Sequence, residues 1–435
     1  MEIMTIVGGH TLAGRVRPAA AKNSVLPLLA ATLLCGGPCT LRHVPRLRDV
    51  DTSLALLGAV GAGACRRGQD IITRPSASLN GCIPPQAAGA MRGSVFYLAP
   101  LLCRVGAVRL PLPGGCSLGP RPIDIHLAGL AAMGARVEVD ADAVCLRRAG
   151  PLRGADFTLR LPSVGATLTL MMAACCAAGT TVLRGAACEP EIGDTADFLR
   201  AAGARITGDG TPVIVIRGEL DGLLAGVEHT ALPDRIAAAT YAAAAACAGG
   251  SVTVQSCRPE HFAMFLQFLR AVGCEVRAKQ TAVTVTRDPA APLRGGQDLC
   301  TAAYPGFATD TAPLAAAVLL GAQGASRIYD ALFQNRFACA AGFAAMGAQA
   351  KAEGHVLHLG GDAALHGAQI TAPDLRGGAA LAIAALGAQG TTYLCDAGHI
   401  RRGYADLPAE LRALGAQCHF SPISQSARPP HACQL

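Results

Sequence analysis

Residues 194–207 read DTADFLRAAGARIT, and this stretch contains the pattern that decides the fold. A helix-like segment ends in an apolar residue, glycine and alanine, and a strand-like segment follows. The same signature occurs six times, with its glycine recurring every 68 to 74 positions. We therefore interpret the chain as six copies of one structural repeat. The repeated glycines are Gly61, Gly134, Gly203, Gly273, Gly347 and Gly415.

A second signature lies between these glycines. It is an Ala/Leu-rich helix that stops at glycine and is followed by β-branched residues, as in residues 170–183 and 240–254. This helix is apolar on all sides, which predicts burial on all sides, whereas the helix of the first signature is amphipathic. Each repeat should therefore contain α-β-α-β in outline. Because about seventy residues is long for a solenoid unit, we expect two globules of three units with a cleft between them.

Composition narrows the class of protein. The chain has 435 residues, 51% of them apolar and 15% charged, which excludes an intrinsically disordered chain. Its formal net charge is +7 and only three residues are lysine, so the positive charge is almost entirely guanidinium and favours small anions as partners. The arginines are scattered and only 4% of the residues are aromatic, which argues against a nucleic-acid-binding protein.

The cysteines and the apolar runs bear on the compartment. The chain has 18 cysteines but opens MEIMTIVGGH, without a signal-peptide pattern, which predicts free thiols and a cytoplasmic location. Cys35 and Cys39 lack the second ligand pair of a zinc site. Uncharged runs at 161–183 and 236–257 are long enough to cross a membrane, but they end in β-type sequence. We expect buried helices followed by strands there, and no membrane insertion.

Five segments combine glycine with charge and interrupt the Ala-rich background. In one of them Cys116 lies in a glycine-rich turn with Arg121 five residues on, a setting that exposes a thiol and eases its ionisation. Cys116 is a candidate nucleophile or acid, or alternatively an unreactive loop thiol. His126 is near enough in sequence for Cys-His chemistry, although a position in the helix after the loop is the simpler interpretation.

Charged residues at element boundaries are the other candidates. Lys22 opens the first buried helix, and a helix start is a natural phosphate site. Asp310 stands at the entrance to an apolar helix, where it either caps the helix or takes a proton from a substrate hydroxyl. A guanidinium beside Gly or Pro is well placed to bind phosphate or carboxylate, or is an ordinary solvated group. Four arginines have this setting: Arg92, Arg121, Arg376 and Arg402.

Several segments occur together in one order. They are Lys22-Asn23, residues 80–92 loosely, LPGGCSLGPRPIDIH at 112–126, PSVGAT from Pro162, EPEI from Glu189, LPDRI from Leu232, the Asp310 segment, FQNRF from Phe333, DLR from Asp374 and RGY from Arg402. From about residue 5 to residue 418 the chain resembles the UDP-N-acetylglucosamine 1-carboxyvinyltransferases, a family of enolpyruvyl transferases.

The resemblance implies a fold. It is a two-domain inside-out α/β barrel of six βαβαββ repeats, three in each domain, with the active site in the cleft. One enolpyruvyl transferase domain, carrying the Cys116 loop, is expected at residues 22–232. The second is expected at 1–21 and 233–420, which closes the chain on itself. Residues 421–435 lack periodicity and are expected to form a flexible tail.

The resemblance also implies a reaction. The enolpyruvyl group of phosphoenolpyruvate is transferred to the 3′-hydroxyl of UDP-N-acetylglucosamine and phosphate is released, which is the first committed step of peptidoglycan synthesis. Asp310 would deprotonate the sugar hydroxyl and Cys116 would protonate the enol methylene carbon. Lys22, Arg121 and Arg402 would bind the phosphate and carboxylate of phosphoenolpyruvate. The other implied substrate contacts are Asn23, Arg92, Pro122, Ile123, Asp124, Ile125, Ser163, Val164, Gly165, Leu332 and Arg376.

Some positions depart from the family pattern. Ala19-Ala20 replaces Ser-Gly, Gln334 replaces Glu, and Pro313 enters the helix after Asp310. Arg401 replaces an acid beside a substrate-binding arginine. These changes leave open a divergent paralogue that binds UDP-N-acetylglucosamine as a sensor or partner without catalysis. The sister 3-phosphoshikimate 1-carboxyvinyltransferases share the fold and the donor but lack the cysteine loop and the EPEI segment.

The implied chemistry needs little besides the substrates. No dinucleotide fingerprint or metal-ligand cluster is visible in the sequence, and we expect no cofactor and no metal. The expected partners are the two small molecules, and the sequence indicates no particular oligomeric state. From the same resemblance we expect the epoxide antibiotic fosfomycin to alkylate Cys116.

Overall fold

The structure is a computed structural model that describes residues 2–112, 122–218 and 223–422. The chain divides into two compact units. The central lobe comprises Ala19–Pro233, and the terminal lobe comprises Met1–Pro18 with Asp234–Leu435. These divisions lie three residues before and one residue after the boundaries expected at 22 and 232.

Three inner helices and three outer helices organise the central lobe. The inner helices α1, α4 and α6 are buried, and α4 continues a 3₁₀ turn at Arg92–Tyr97. The described helices are α1 (Lys22–Ala31), α2 (Arg48–Ala59), α3 (Pro85–Ala90), α4 (Leu98–Val105), α5 (Asp124–Ala132), α6 (Val164–Cys175) and α7 (Pro190–Ala201).

The described strands of the central lobe form three sheets. In spatial order the first contains Glu228–Thr230, Cys39–Arg42, Asp70–Arg74 and Gly63–Arg67; the second contains Ala107–Pro111, Ala143–Arg148 and Ala135–Val139; and the third contains Arg205–Thr207, Val213–Gly218, Gly179–Arg184 and Asp156–Thr158.

The terminal lobe repeats this plan with inner helices α8, α10 and α12. The described helices are α8 (Arg235–Ala248), α9 (Ala263–Ala271), α10 (Ala312–Leu319), α11 (Ala340–Ala345), α12 (Leu375–Gly387) and α13 (Leu407–Arg412). The described strands form three four-stranded sheets, Gln369–Thr371, Thr391–Cys395, Glu2–Val7 and Gln417–Pro422; Glu275–Lys279, Ala282–Arg287, Gly250–Gln255 and Leu12–Val16; and Asp298–Cys300, Ser326–Tyr329, Val356–Leu359 and Ala350–Glu353, with a short pair at Leu293–Arg294 and Ala322–Gln323.

Each repeat has the order βαβαββ. In the third repeat Asp156–Thr158 runs parallel to Gly179–Arg184, which follows the inner helix, and Val213–Gly218 then adds an antiparallel partner. The second repeat differs because its first strand is reduced to one bridge between Cys82 and Arg109, which leaves a three-stranded sheet. The six-repeat, two-domain α/β architecture predicted from the sequence is confirmed.

The N-terminal segment closes the terminal lobe, as expected. Glu2–Val7 lies between the strands Thr391–Cys395 and Gln417–Pro422, and Leu12–Val16 pairs in parallel with Gly250–Gln255. The start of the expected tail needs a correction, because Ser421 pairs with Ile3 in the last strand. Backbone hydrogen bonding extends that strand through residue 422, and residues 423–435 lie outside the described part of the chain.

The two sequence signatures have distinct structural roles. The repeated glycines all have positive φ, from +90° at Gly61 to +106° at Gly203 and Gly273, which is the backbone conformation that lets the chain leave an outer helix. The inner helices are buried nearly throughout, and α8 and α12 are almost entirely inaccessible. The two long uncharged runs are therefore inner helices followed by strands. Within the described residues, none of the helices has the length and apolarity needed to span a membrane.

Candidate active site

In the central lobe, Lys22 and Asn23 open the inner helix α1. Lys22 donates from Nζ to Oδ2 of Asp49 at 3.3 Å, and its side chain is only 13% exposed. Pro27 lies inside α1 and has no N–H, so the carbonyl of Asn23 does not receive the usual hydrogen bond from four residues ahead. The sequence thus puts a half-buried ammonium group and an uncommitted backbone carbonyl at one helix start.

Arg92 and the turn before α5 lie close together. Arg92 begins the 3₁₀ turn and donates from Nη2 to the carbonyl of Pro122 at 3.4 Å. Ile123 and Asp124 lead into α5, and the carboxylate of Asp124 accepts a hydrogen bond from Arg160 at 2.6 Å. The structure therefore joins two of the expected substrate-binding segments, residue 92 and residues 122–125, within this lobe.

The start of α6 lies against the same turn. Ser163 caps α6, with its Oγ accepting from the backbone N–H of Ala166 at 3.3 Å. Gly165 must lack a side chain, because a Cβ there would lie 2.8 Å from Nε2 of His126. The exposed N–H groups of such a helix start suit an anionic ligand. His126 thus connects residues 122–125 with residues 163–165.

His126 itself is a buried, neutral side chain. It lies in α5, as the simpler interpretation of the sequence predicted, and is 6% exposed. Burial, reinforced by the nearby Arg92, lowers its pKa to about 4. Its Nδ1 has no hydrogen-bond partner among the described residues. Cys116 and Arg121 lie outside the described residues, so the Cys116 roles and the Cys-His alternative stay predictions.

In the terminal lobe, Asp310 is held between two buried guanidinium groups. It lies in the 3₁₀ turn Thr309–Thr311 before α10. Arg336 donates from Nη2 to Oδ1 at 3.2 Å, and Arg376 donates from Nη2 to Oδ2 at 2.9 Å. The side chains of Arg336 and Arg376 are 2% and 8% exposed, whereas that of Asp310 is 28% exposed. The alternative that Asp310 caps the helix is wrong, because its side chain makes no cap hydrogen bond.

A buried aspartate ties a second expected residue to this cluster. Asp330, which is fully buried, accepts hydrogen bonds from Thr309 Oγ1 and from the backbone N–H of Leu332, the latter at 2.9 Å. Arg336 donates from Nε to Thr309 Oγ1 at 2.9 Å and lies over the ring of Phe333. The half-exposed Leu332 is therefore fixed close to Asp310.

The far side of Arg376 is also polar. Burial raises the pKa of Tyr404 to about 12, and the Tyr404 hydroxyl is hydrogen-bonded to Thr240 at 2.6 Å. Burial alone would lower the pKa of Arg376, but the charge of Asp310 and the proximity of Tyr404 outweigh burial and raise it. Arg376 is thus a permanently charged, buried group rather than a solvated surface arginine.

The departures from the family pattern have local explanations. Arg401 donates from Nε to both carboxylate oxygens of Glu2, at 3.0 and 2.9 Å, and stacks over Phe420, so its charge is matched by an acid from the first strand. Pro313 lies in the first turn of α10, where proline is tolerated. Gln334 is exposed in a turn, and Ala20 is buried and bridges to Pro233.

Arg402 lies at the end of the 3₁₀ turn Ala397–Arg402, which packs against α12. The structure therefore brings Asp310, Leu332 and Arg376 together and puts Arg402 on a segment that contacts the helix of Arg376. A separate cavity of about 710 Å³ in this lobe, lined by Arg401, His419 and Phe420 among others, contains none of the expected site residues.

Sequence reasoning missed two residues of this cluster. Arg336 and Asp330 belong to the FQNRF region, but neither lies beside glycine in the way that singled out the other candidates. The available signal was the pairing of a buried-type aspartate with an arginine six residues later, between apolar segments, since such charges are rarely buried unless paired. Their partner Asp310 is distant in sequence, so only the fold reveals the contact.

Comparison with known proteins identifies the family. The model of the EPSP synthase (3-phosphoshikimate 1-carboxyvinyltransferase) family matches residues 6–411. UDP-N-acetylglucosamine 1-carboxyvinyltransferase 1 of Symbiobacterium thermophilum is 44% identical over 425 residues, covering 95% of this chain and 94% of the relative. The chain belongs to the UDP-N-acetylglucosamine 1-carboxyvinyltransferase family. A second family member, from Caldanaerobacter subterraneus subsp. tengcongensis, is 41% identical, covering 94% of this chain and 97% of the relative.

Solved structures agree with this family. The enolpyruvyl transferase NikO from Streptomyces tendae has a TM-score of 0.87 at 26% identity, covering 97% of this chain and 99% of its own. EPSP synthase from Acinetobacter baumannii has a TM-score of 0.73 at 16% identity, covering 97% and 100%, and shares the fold. The much higher identity to UDP-N-acetylglucosamine 1-carboxyvinyltransferases than to this synthase favours that family over its sister family.

Proposed function

We propose that this chain transfers the enolpyruvyl group of phosphoenolpyruvate to the 3′-hydroxyl of UDP-N-acetylglucosamine and releases phosphate. The observation that carries the proposal is 40–44% identity, over nearly the whole chain, to several relatives that bear the name of this activity. The reaction is the first committed step of peptidoglycan synthesis, which suits a cytoplasmic enzyme and would tie its activity to cell-wall growth and division.

Asp310 is the proposed base for the sugar hydroxyl. Two charge-assisted hydrogen bonds, from Arg336 and Arg376, fix its two oxygens and favour the ionised carboxylate that a base requires. Each oxygen keeps a further lone pair, so the carboxylate can still accept a hydrogen bond from the 3′-hydroxyl. Its partial exposure leaves it reachable, whereas the buried guanidiniums are positioning groups.

The donor is a small, highly charged anion, and cationic groups are proposed to bind it. Lys22, Arg121 and Arg402 would hold its phosphate and carboxylate, offsetting repulsion from the diphosphate of the acceptor. Cys116 would protonate the methylene carbon, so that proton removal and proton delivery are carried out by different residues. Exclusion of water around the Cys116 loop would protect the oxocarbenium-like transition state.

The acceptor is proposed to bind along the helix starts of the central lobe. Ser163, Val164 and Gly165 present the backbone N–H groups of the first turn of α6 to a diphosphate. The turn of residues 122–125 and Asn23 would contact the nucleotide and the sugar, and Arg92 fixes that turn through Pro122. Leu332 would supply an apolar contact and Arg376 would bind substrate charge from the terminal lobe.

A coupled assay tests the proposed activity. The full chain is incubated with phosphoenolpyruvate and one acceptor, either UDP-N-acetylglucosamine or shikimate 3-phosphate, and released phosphate is measured. We expect release that requires both phosphoenolpyruvate and UDP-N-acetylglucosamine. Release with shikimate 3-phosphate instead would assign the sister activity, and no release with either acceptor at saturation would favour the non-catalytic paralogue.

The D310N variant tests the role of Asp310. The amide keeps the shape of the side chain but cannot accept a proton, so we expect kcat to fall by about 10²- to 10⁴-fold. The N335D substitution, in the exposed turn beside Arg336, is a control that alters charge nearby without removing the base. Equal rates for D310N and the parent chain would exclude Asp310 as the base.

Fosfomycin tests the role of Cys116 separately. We expect covalent addition of the epoxide to the Cys116 thiol, detected by peptide mass spectrometry and slowed by UDP-N-acetylglucosamine or phosphoenolpyruvate. Modification of a different cysteine, or complete absence of an adduct in an active enzyme, would contradict the assignment.

A further inference from the structure

Two cysteines meet at the C-terminal ends of the inner helices of the central lobe. Cys103 lies in the last turn of α4, and Cys176 directly follows α6, which packs against α4. Their thiol groups are hydrogen-bonded to each other. Both are free thiols and both are partly exposed. Neither residue belongs to the substrate-binding segments described above.

Two arginines make the surroundings of this thiol pair positive. Arg148 donates from Nε to the carbonyl of Leu102 and from Nη2 to the carbonyl of Cys103, each at 3.0 Å. Arg104 donates to the carbonyls of Leu33 and Ser76. These guanidiniums bind the carbonyl ends of inner helices and lie close to the two sulfur atoms.

The environment distinguishes the two sulfurs. The hydrogen bond from Cys103 lowers the pKa of Cys176, and Arg104 and Arg148 lower it further. The hydrogen bond and burial raise the pKa of Cys103. A partly exposed thiol in a positive environment is the kind that ionises and reacts, and a neighbouring thiol is positioned to resolve the oxidised product.

We propose that Cys103 and Cys176 are a reversible oxidation site that forms a disulfide with hydrogen peroxide as the oxidant. The Cys176 thiolate attacks one peroxide oxygen, the O–O bond breaks, and a sulfenic acid and hydroxide form. The Cys103 sulfur then attacks the sulfenic sulfur, the S–O bond breaks, and water leaves after proton transfer. Two thiols lose two electrons and one peroxide becomes two waters; an external dithiol reverses the step by exchange.

Other groupings of thiols explain the observations less well. Cys35 and Cys39 are also hydrogen-bonded to each other, but both are fully buried, which restricts access of an oxidant. Burial raises the pKa of Cys175, the direct neighbour of Cys176. Within the described residues, no group of three or more cysteine, histidine or acidic side chains has the arrangement of a metal site.

The location of the pair determines what oxidation would do. The 12 residues of α6 span about 18 Å, and Val164 lies at the opposite end from Cys176. A disulfide would therefore tether α4 to α6 at the end remote from the substrate-binding turn. We expect oxidation to restrain local opening of the central lobe, because a cross-link between neighbouring helices limits the unfolded conformations available.

Peptide mapping of the full chain tests the proposal. The protein is treated with a small excess of hydrogen peroxide, remaining thiols are blocked with N-ethylmaleimide, and peptides are analysed with and without dithiothreitol. We expect one dominant cross-linked pair that contains Cys103 and Cys176 and is released by dithiothreitol. Bridging of either residue to Cys35 or Cys175 instead, or blocking of both thiols by N-ethylmaleimide after oxidation, would overturn the proposal.

Variants separate the attacking and resolving roles. In C103S we expect no cross-link and a Cys176 sulfenic acid that dimedone traps, whereas in C176S dimedone labelling at residue 103 should be much weaker. C65S, which removes an exposed thiol of the same lobe, is the matched control and should cross-link like the parent chain. Equal dimedone labelling of the two single variants would overturn the assignment of Cys176 as the attacking thiol.

Hydrogen exchange supplies a readout that is independent of catalysis and of Cys116. We expect oxidation to slow amide exchange in the last turns of α4 and α6 of the parent chain and of C65S, and to leave it unchanged in C176S. Identical exchange in these turns before and after verified cross-linking would contradict the expected restraint.

Discussion

The two lobes share one repeat but fill it with different chemistry. In the central lobe, the buried face of α6 is formed by large side chains such as Leu170, Met171 and Met172. In the terminal lobe, nine of the fourteen residues of α8 are alanine, and α8, α10 and α12 pack directly on one another. The terminal lobe also buries a charged cluster around Asp310, whereas the central lobe presents helix starts and backbone turns.

This difference indicates how one fold supports two kinds of binding surface. Alanine-rich helices approach closely and leave room at their N-terminal ends for the guanidinium groups that hold a carboxylate. Large aliphatic side chains space the helices of the other lobe, and its polar groups stay at exposed helix starts, which suit a diphosphate. The repeat thus sets the scaffold, and the side-chain volume inside each lobe decides what its binding end can hold.

The largest expected effect comes from breaking the buried cluster. R336M removes one cation but leaves Asp330 fully buried and Asp310 half-paired, so we expect a loss of about 3–5 kcal/mol in the unfolding free energy of the terminal lobe. Denaturant titration followed by hydrogen exchange of each lobe measures it. The matched change R184M, in an exposed ion pair of the central lobe, should leave the midpoint unchanged. Equal effects of the two changes would contradict the contrast.

Changes of core volume should have opposite causes in the two lobes. L170A in α6 leaves a cavity and should cost about 2–5 kcal/mol. A243L in α8 adds atoms where helices already touch, and should cost about 1–3 kcal/mol through overpacking. Thermal unfolding measures both. A stabilised A243L variant would show that the alanine-rich core contains unfilled space.

The two lobes should respond to pH in opposite directions. Burial lowers the pKa of His126 to about 4, so the neutral ring stabilises the central lobe above about pH 6.5, and this stabilisation is lost as the pH falls toward 4. Burial raises the pKa of Glu410 to about 7, so the protonated acid stabilises the terminal lobe below about pH 4.5, and this stabilisation is lost as the pH rises through 7.

Paired substitutions isolate these two terms, each on the order of 2 kcal/mol. E410Q keeps an acceptor for the Tyr241 hydroxyl, which donates to Glu410 at 2.5 Å, and should flatten the pH dependence of the terminal lobe between pH 5 and pH 8. H126Q should flatten that of the central lobe between pH 4 and pH 6.5. Lobe-resolved hydrogen exchange at several pH values gives the comparison, and unchanged profiles in both variants would contradict the assigned groups.

The smallest contrast concerns two helix caps. The carboxylate of Asp234 accepts from the backbone N–H groups of Ile236 and Ala237 at the start of α8, and Ser163 caps α6. D234A and S163A should each cost about 1 kcal/mol of stability in their own lobe. Only S163A is expected also to raise KM for UDP-N-acetylglucosamine. Steady-state kinetics beside thermal unfolding distinguish the two effects, and an unchanged KM for S163A would remove Ser163 from the proposed site.

The repeat, the fold class and the order of elements were predictable because they depend on local rules. Glycine with positive φ follows each outer helix, and uniformly apolar segments form the inner helices. The reduced first strand at Cys82 was not predictable, because a single bridge leaves no periodic pattern. Arg336 was missed for a different reason, namely that its importance depends on a contact with Asp310 across two repeat elements.

The central claim is that this chain forms a vinyl ether between phosphoenolpyruvate and UDP-N-acetylglucosamine. The most direct measurement incubates the purified full chain with both substrates, using phosphoenolpyruvate labelled with ¹³C at its second carbon, and follows the label by NMR. The account predicts a new vinyl ether carbon joined to the 3′ oxygen of the sugar, together with an equal amount of free phosphate. Recovery of unchanged phosphoenolpyruvate beside bound UDP-N-acetylglucosamine would contradict it.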